Sequence, residues 1–268
     1  MASMINKPYP DSSRNDSGLA FVRIEDGDMM LMFDIAFAYH PHDKTSWRGG
    51  KSKLGQDLRA GLAFPKYQYN SNSPFYYGIY DVKRICPIHN FLTMIHQDIK
   101  YLTYANLFVN SNYPATKILF RSLMQDQMGK IVLNINNGTD SSKLAELSKW
   151  ACEILLYPDN GPSMWEDIKL REQAVTKIIE TAKRYNNRLF AFSVGYLTRV
   201  LIHYAWQENP YNRYIDFGSA LDEITKNKIT RPYQSNPGYY ADPTYILHYK
   251  TTGQKFDITV SNYSYKFF

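Results

Sequence analysis

Apolar residues occur along the chain in two kinds of block, which predict alternating strands and helices. Compact apolar runs bounded by turn residues predict strands at 18–24, 75–80, 103–109, 130–135, 189–192 and 213–217. Apolar residues at helical spacing predict helices at 51–63, 88–99, 115–127, 142–154 and 196–207, and a further helix that Ser163 caps and that ends near Tyr185. The apolar segment 29–38 fits a strand or a helix, and 255–260 predicts an edge strand.

The second half of the chain carries the clearest indication of fold class. A helix, the strand 189–192, a glycine turn, a second helix and the strand 213–217 follow one another. This order is typical of a doubly wound parallel sheet. We therefore predict an α/β fold that is Rossmann-like and doubly wound, with a mostly parallel sheet and helices on both faces. We expect a flexible lead-in at 1–17, one domain at 18–230, and an aromatic extension at 231–268 packed on that domain.

Composition adds an indication about the ligand. The chain of 268 residues is 15% aromatic and contains 23 Tyr, whose apolar ring and polar hydroxyl suit the C–H faces and hydroxyl edges of sugars. Most of these tyrosines will nonetheless fill the edges of the core. A net charge of +6 favours an anionic ligand. The charge is dispersed, without a long run of Lys or Arg, so nucleic acid is not favoured as a partner.

Several classes of protein lack their signatures in this sequence. Two cysteines, Cys86 and Cys152, are too few for a disulfide framework, and no Cys/His set has zinc-site spacing. The G-x-G-x-x-G, H-E-x-x-H and G-x-S-x-G motifs are missing, which argues against nicotinamide enzymes, zinc metalloproteases and serine hydrolases. No apolar stretch suits a signal peptide or a transmembrane helix, so we expect a protein of the cytoplasm, or of a host's cytoplasm, that is not secreted.

The end of the first predicted strand carries three acids, two of which are separated by a single glycine. Ligands of doubly wound sheets bind beyond the carboxyl ends of the strands. The strand 18–24 is followed there by Glu25-Asp26-Gly27-Asp28, and we expect Asp26 and Asp28, rather than Glu25, to be the pair that acts together. Two carboxylates separated by one glycine can converge on a hard cation, which in turn neutralises the charge of a diphosphate. The same residues also form an ordinary turn, so the motif alone allows both interpretations.

Two further strand ends lie in the second half of the chain. Ser193-Val194-Gly195 is a glycine turn before a helix, where backbone N–H groups and the helix dipole favour phosphate. Arg199 lies about one helical turn further on, and it fits either a phosphate contact or an ordinary surface position. Asp216 is embedded in an apolar strand, where a carboxylate requires a reason such as binding a hydroxyl or acting as a base. Loop N–H groups that satisfy its charge are the alternative.

Taken in order, these motifs resemble those of the GT-D-fold glycosyltransferases of surface-polysaccharide and glycoprotein glycan synthesis. That family has a strand running into Arg-Phe-Gly-Asp-Gly-Glu, and the corresponding residues are Arg23-Ile24-Glu25-Asp26-Gly27-Asp28. Its later motifs are similar to 190–195 and 215–219, and a middle motif is similar to 106–110. The resemblance spans residues 18 to about 223. It implies a GT-D-like fold, a nucleoside-diphosphate sugar donor and a divalent metal.

The strand ends and the resemblance together predict a metal-dependent glycosyltransferase that moves a sugar, from a UDP-sugar above all, to a glycan or other hydroxyl acceptor. We expect Mn²⁺ or Mg²⁺ on Asp26 and Asp28. The residues expected to bind the nucleotide-sugar are Arg23, Asp26, Gly195, Tyr196 and Arg199. The candidates for the catalytic base are Asp216, Asp222 and Glu223.

Two alternatives remain open from the sequence. A non-catalytic carbohydrate- or nucleic-acid-binding protein would use the basic, Tyr-rich surface. A Rossmann-like methyltransferase would need a glycine-rich first loop, whereas the loop after the strand 18–24 is acidic.

Overall fold

The apolar runs of the sequence form a seven-stranded sheet, and helices flank it. The computed structural model describes residues 18–24, 28, 52–63, 74–79, 92, 97, 101–126, 129–139, 141–159, 161–226 and 228–235. The strands are β1 (Leu19–Ile24), β2 (Phe75–Ile79), β3 (Leu102–Tyr104), β4 (Ile131–Asn136), β5 (Ala151–Tyr157), β6 (Leu189–Ser193) and β7 (Arg213–Asp216). The helices are α1 (Lys53–Ala63), α2 (Tyr113–Asp126), α3 (Ser141–Leu147), α4 (Gly161–Glu166), α5 (Ile168–Arg184), α6 (Leu197–Glu208), α7 (Asp222–Lys226) and α8 (Pro232–Ser235).

The sheet is parallel throughout, with the strand order β3-β2-β1-β7-β6-β4-β5. β1 lies near its centre, where Phe21 pairs with Tyr76 of β2 and with Ile215 of β7. All six residues of β1 are buried, as expected for a parallel strand that is covered on both faces. β1, β7 and β6 are adjacent and parallel, so their carboxyl ends lie side by side at the C-terminal end of the sheet. The residues that follow these strands meet at that end.

Side chains on the two faces of the sheet enter two separate apolar cores. Along β1, Val22 points into a core formed with α1, α4, α5 and α6, whereas Phe21 points into a core formed with α2 and residues 217–221. Alternate residues of a strand point to opposite faces, which explains the division. Helices thus lie on both faces. The prediction of an α/β, Rossmann-like, doubly wound fold is confirmed.

The predicted strand 103–109 is wrong over most of its length. Strand pairing ends at Tyr104, and Ala105–Phe108 forms a 3₁₀ helix. The turn carries the Phe108 ring into the core. The centroid of this ring lies 5.6 Å from that of the Phe21 ring and 4.6 Å from that of the Phe217 ring. Packing of this aromatic side chain outweighs the strand propensity of the segment.

The predicted helix 142–154 is confirmed only as far as Leu147, and the predicted cap at Ser163 is wrong. The helix α3 ends at Leu147, and residues from Ala151 pair as β5 with the edge of β4. Ala, Glu and Leu favour helices intrinsically, but the free edge of β4 offers backbone partners that override this preference. The long helix begins only at Ile168, where the Asp167 side chain accepts a hydrogen bond of 3.0 Å from the Leu170 backbone N–H.

The other predicted elements that fall on described residues are confirmed, with bounds that differ by at most a few residues. The segments 1–17, 29–38 and 255–260 lie outside the described residues, as does nearly all of 88–99. Residues 231–235 are described, and α8 places the buried Tyr233 in the core with α2. The division of the chain at residue 230 stays a prediction. In the described part of the chain, no helix is long and apolar enough to span a bilayer.

Candidate active site

Arg23, near the end of β1, binds Asp216, the last residue of β7. Arg23 Nη2 lies 3.2 Å from Asp216 Oδ1, and the Arg23 backbone N–H donates to Asp216 Oδ2 at 3.3 Å. Both side chains are buried. The contact follows from strand register, because Phe21 pairs with Ile215 and the two strand ends therefore lie side by side. The first and third predicted strand ends thus meet.

Arg199, on the first turn of α6, joins the second strand end to the other two. Its Nε donates to the Arg23 backbone carbonyl at 2.7 Å and lies 3.6 Å from Asp216 Oδ2. Its Nη1 donates to the Gly195 carbonyl at 2.8 Å. Its Nη2 lies 3.0 Å from Asp28 Oδ2. One guanidinium therefore ties together β1, the turn before α6, and the segment that follows β1.

The side chains of Arg23, Arg199, Asp28 and Asp216 form a buried ion network with equal numbers of positive and negative groups. All four side chains are almost fully removed from solvent. A buried charge that loses its partner is strongly destabilising. The four groups therefore hold one another in place. The network fixes the position of Asp28 relative to the Gly195 turn.

Two glycines shape this site through positive φ angles. Gly218 follows β7 with a φ of 52°, and a β-carbon at this position would overlap the Arg23 guanidinium. Only glycine allows both the backbone conformation and this close approach. Gly195 has a φ of 58°, and its missing β-carbon faces open space. It is exposed, immediately before the half-buried Tyr196 and the start of α6. Gly195 thus leaves the turn accessible to a ligand.

Asp222 lies beyond the end of β6, where polar groups surround its carboxylate. Its carboxylate accepts hydrogen bonds from the Ser193 hydroxyl at 3.3 Å and from the Thr230 hydroxyl at 2.6 Å. Lys226 Nζ lies 3.1 Å from Asp222 Oδ1. The side chain is buried, so these three partners account for its charge. Asp222 connects the end of β6 with the segment after α7.

Glu223 is the more accessible of the two neighbouring acids. It accepts hydrogen bonds from the Tyr113 hydroxyl at 2.7 Å and from Lys117 Nζ at 2.8 Å. Burial by itself would raise the pKa of the Glu223 carboxyl, but the hydrogen bonds from Lys117 and Tyr113 outweigh it and hold this pKa below its ordinary value. Burial, followed by the hydrogen bond to Glu223, raises the pKa of Tyr113. Glu223 is thus a carboxylate and Tyr113 a neutral donor near neutral pH.

The segment 228–235 packs against the turn after β7, beside Asp222. Gln234 Oε1 accepts hydrogen bonds from the backbone N–H groups of Thr230 at 2.6 Å and Arg231 at 2.9 Å, and Gln234 Nε2 donates to the Ser219 carbonyl at 2.8 Å. The Tyr233 and Ser219 hydroxyls lie 2.8 Å apart. Burial above all raises the pKa of Tyr233 to about 12. These bonds fasten the segment to the turn after β7.

The metal centre predicted from Asp26 and Asp28 is only partly within the described residues. Asp26 lies outside them, and Asp28 is buried against Arg199. Among the residues that the structure describes, no three or more His, Cys, Asp or Glu side chains lie together as a possible metal site. The described residues thus do not form a complete metal site, and the two ligands stay a prediction.

The structure brings the other predicted residues together. Arg23, Arg199 and Asp216 contact one another, Gly195 accepts from Arg199, and Tyr196 follows it. Asp222 and Glu223 lie next to this group rather than within the buried ion network. Sequence reasoning missed the residues that hold the two acids. These are Tyr113 and Lys117 for Glu223, and Thr230 and Lys226 for Asp222. Tyr113 and Lys117 lie 110 and 106 residues before Glu223 in the chain, so no local motif indicates these two partners.

No protein-family model and no curated protein sequence matches the chain. Two solved structures are similar to it. The selenomethionine-substituted structure of domain of unknown function 1792 matches with a TM-score of 0.44 and 18% identity, over 75% of this chain and 73% of that chain. A structure of the same domain, described as highly conserved and as having a distinct glycosyltransferase fold, matches with a TM-score of 0.42 and 17% identity, over 76% and 73%. Neither likeness identifies an activity of this chain.

Proposed function

We propose that the chain is a glycosyltransferase that takes its sugar from a nucleoside-diphosphate donor, a UDP-sugar above all, and transfers it to a hydroxyl of a glycan acceptor. The observation that supports this function most is the meeting of three strand ends at the C-terminal end of the sheet. Arg23 and Asp28 come from the first end, Gly195 and Arg199 from the second, and Asp216 from the third. Nucleotides bind at this place in doubly wound sheets.

The Gly195 turn is the part of the site best suited to the diphosphate. Gly195 is exposed, lacks a side chain, and stands before a helix of 12 residues. The first backbone N–H groups of a helix have no partner within it, and the helix dipole favours an anion there. Arg199 lies behind the turn, where its guanidinium holds the Gly195 carbonyl. The guanidinium orients the turn, while Asp28 and Asp216 balance its charge.

We further propose that Asp26 and Asp28 bind Mn²⁺ or Mg²⁺ together with the diphosphate. When bound, such an ion would neutralise charge that develops on the leaving diphosphate. The Asp28 side chain is 0% exposed, so an ion would reach it only if the surrounding residues move apart. One carboxylate oxygen would then serve the ion while the other keeps the Arg199 guanidinium. The Arg199 contact would then hold Asp28 ready for the ion.

Accessibility separates the three candidates for the base. The Asp216 side chain is 0% exposed and contacts two guanidinium groups, so an acceptor hydroxyl cannot reach it. The Asp222 side chain is 7% exposed, and the Glu223 side chain is 34% exposed. A base must lie within hydrogen-bond reach of the hydroxyl that it deprotonates. We therefore propose Glu223 as the base, held by Lys117 and Tyr113, and Asp216 as a residue that positions the arginines.

A thermal-shift screen with nucleoside diphosphates and nucleotide-sugars, each with and without Mn²⁺, tests the proposal. At a ligand concentration of about 100 times the Kd, the melting temperature rises by ~5 °C through mass action. Release of free nucleoside diphosphate from the sugar that binds then separates an enzyme from a binding protein. If none of these ligands changes the melting temperature, with or without Mn²⁺, the proposed function is wrong.

A matched pair of variants locates the binding. Gly195→Ala and Gly129→Ala both place a β-carbon in open space at a positive φ, 58° and 70° respectively, so both have a similar cost in stability. Gly195→Ala should abolish most of the shift produced by the diphosphate, whereas Gly129→Ala should leave it unchanged. An equal response of the two variants would exclude the Gly195 turn as the diphosphate site.

A further inference from the structure

Two isoleucines on neighbouring segments are unusually exposed. The Ile118 residue on α2 is 65% exposed, and Ile229, between α7 and α8, is 59% exposed. A single exposed apolar residue requires no explanation. These two, however, stand in similar surroundings, since Lys117 precedes Ile118 and Lys228 precedes Ile229. Each of the two exposed isoleucines thus stands beside a lysine.

Hydrogen bonds place the two segments side by side. Lys117, next to Ile118, binds Glu223, and Thr230, next to Ile229, binds Asp222. Asp222 and Glu223 are consecutive residues, so their partners lie on adjoining parts of the surface. We call Lys117, Ile118, Arg121, Lys226 and residues 228–231 together the basic–apolar surface.

The basic–apolar surface has an excess of positive charge. Its cations are Lys117, Arg121, Lys226, Lys228 and Arg231. The acids beside it are Asp222, which is buried and paired with Lys226, and Glu223, which is paired with Lys117. On α3, which packs against α7, Glu146 is itself paired with Lys143 at 2.7 Å. Two of the five cations are thus balanced by neighbouring acids, and the surface keeps a net positive charge.

A second exposed apolar site has different surroundings. Ile168 at the start of α5 is 62% exposed and precedes Lys169. The exposed face of α5 alternates acids with bases, as in Glu172, Lys177 and Glu180. Exposure of an isoleucine beside a lysine is thus not enough to create a cationic surface in this chain. The contrast distinguishes the basic–apolar surface from an ordinary solvated helix.

We propose that the basic–apolar surface docks the protein on an anionic lipid bilayer. Basic side chains are attracted to the negative potential of such a bilayer, and exposed isoleucines enter the boundary between headgroups and acyl chains. An extended polyanion such as nucleic acid would use the cations but not the isoleucines. The docking is independent of the chemistry at the Gly195 turn. It would bring Glu223, beside this surface, close to the membrane.

Co-sedimentation of the full chain with vesicles tests this docking. One set of vesicles is pure phosphatidylcholine, and the other contains equal parts of phosphatidylcholine and phosphatidylglycerol. We expect binding to the mixed vesicles only, and weaker binding as salt is raised. The double variant Lys228→Glu with Ile229→Asn should weaken binding by about tenfold or more. The matched control, Ile168→Asn with Lys169→Glu, removes an equally exposed isoleucine and lysine and should bind like the wild type.

The outcomes separate the alternatives. Equal binding to both kinds of vesicle, or none to either, would overturn the proposal, and so would an equal loss in both double variants. Ile118→Asn should also weaken binding, because it removes the second apolar contact without changing the charge. If soluble polyphosphate binds the wild type and the Lys228→Glu, Ile229→Asn variant loses that binding, while mixed vesicles bind neither protein, the surface recognises a soluble polyanion and the bilayer is excluded. Thermal melting of each variant verifies that it is folded.

Discussion

The guanidinium of Arg199 lies 3.0 Å from the carboxylate of Asp28, and both side chains are buried. The same guanidinium holds backbone carbonyls of Arg23 and Gly195. The acid that the sequence associates with a metal is therefore also part of the packing between β1 and α6. Substitution of Asp28 will affect stability as well as any metal binding, so the two effects must be measured separately.

We expect Asp28→Asn to lower the free energy of unfolding by ~3–5 kcal/mol, because it removes one partner from a buried ion network. Urea denaturation measures the change. In the double variant Asp28→Asn with Arg199→Gln, the loss should be smaller than the sum of the two single losses by at least ~1 kcal/mol. Additive losses would show that Asp28 and Arg199 do not stabilise one another.

The metal is tested with the same variant. Mn²⁺ should raise the melting temperature of the wild type in the presence of a nucleoside diphosphate, and Asp28→Asn should lose this additional rise. The Arg199→Gln variant loses the guanidinium but keeps the two proposed metal ligands, Asp26 and Asp28, so it should retain at least part of the response to Mn²⁺. If Asp28→Asn responds to Mn²⁺ like the wild type, Asp28 is not a metal ligand.

We expect Gly218→Ala to reduce the free energy of unfolding by at least ~3 kcal/mol, since the new β-carbon displaces the Arg23 guanidinium from its buried partner. Gly129→Ala is the control, because Gly129 has a similar positive φ but open space around it. It should cost only ~1–2 kcal/mol from backbone strain. Equal losses would mean that backbone strain alone, and not the contact with Arg23, requires glycine at position 218.

The sequence pattern predicts the fold where burial is complete. β1 and β6 are almost continuous apolar runs, and every residue of β1, β6 and β7 is buried, because helices cover both faces of the sheet. Prediction fails at the two edges of the sheet. At β3, the packing of Phe108 replaces strand pairing with a turn. At β5, the neighbouring strand imposes pairing on a segment with helical propensity.

The candidate site could be predicted as residues but not as contacts. Arg23, Arg199 and Asp216 stand out at strand ends, and all three lie together. The interpretation of Arg199 as a surface arginine is wrong, since it is buried. The Asp216 carboxylate is satisfied by guanidinium groups and by a strand N–H. This arrangement follows from the placement of β7 beside β1, which no local sequence pattern encodes.

If Glu223 is the base, Lys117 should set the pH at which kcat falls on the acid side of the pH–rate profile. The Lys117 hydrogen bond helps to hold the pKa of Glu223 low against the effect of burial, so Lys117→Met should raise this pKa. A base must be deprotonated, and the acid limb of the kcat profile should therefore move to higher pH. Glu223→Gln should reduce kcat by about 10²–10⁴-fold with unchanged donor binding. An unchanged acid limb in Lys117→Met would contradict this role of Glu223.

His203 should make the protein less stable in mild acid. Burial, opposed by the charge of Asp57, lowers the pKa of His203 from 6.5 to about 4. Between these values the unfolded chain binds more protons than the folded one, so the free energy of unfolding increases with pH over this window. At pH 5 the loss relative to neutral pH is on the order of 2 kcal/mol. Urea denaturation at several pH values measures it.

The matched variant for this pH dependence is His203→Asn, which keeps a polar side chain but cannot titrate. It has a lower stability at neutral pH, because the smaller side chain leaves the contact of the imidazole with Gly61 unfilled. The part of the pH dependence that lies between about 4 and 6.5 should nevertheless disappear in the variant. If wild type and variant lose stability in parallel as the pH falls through this window, carboxylates rather than His203 are responsible.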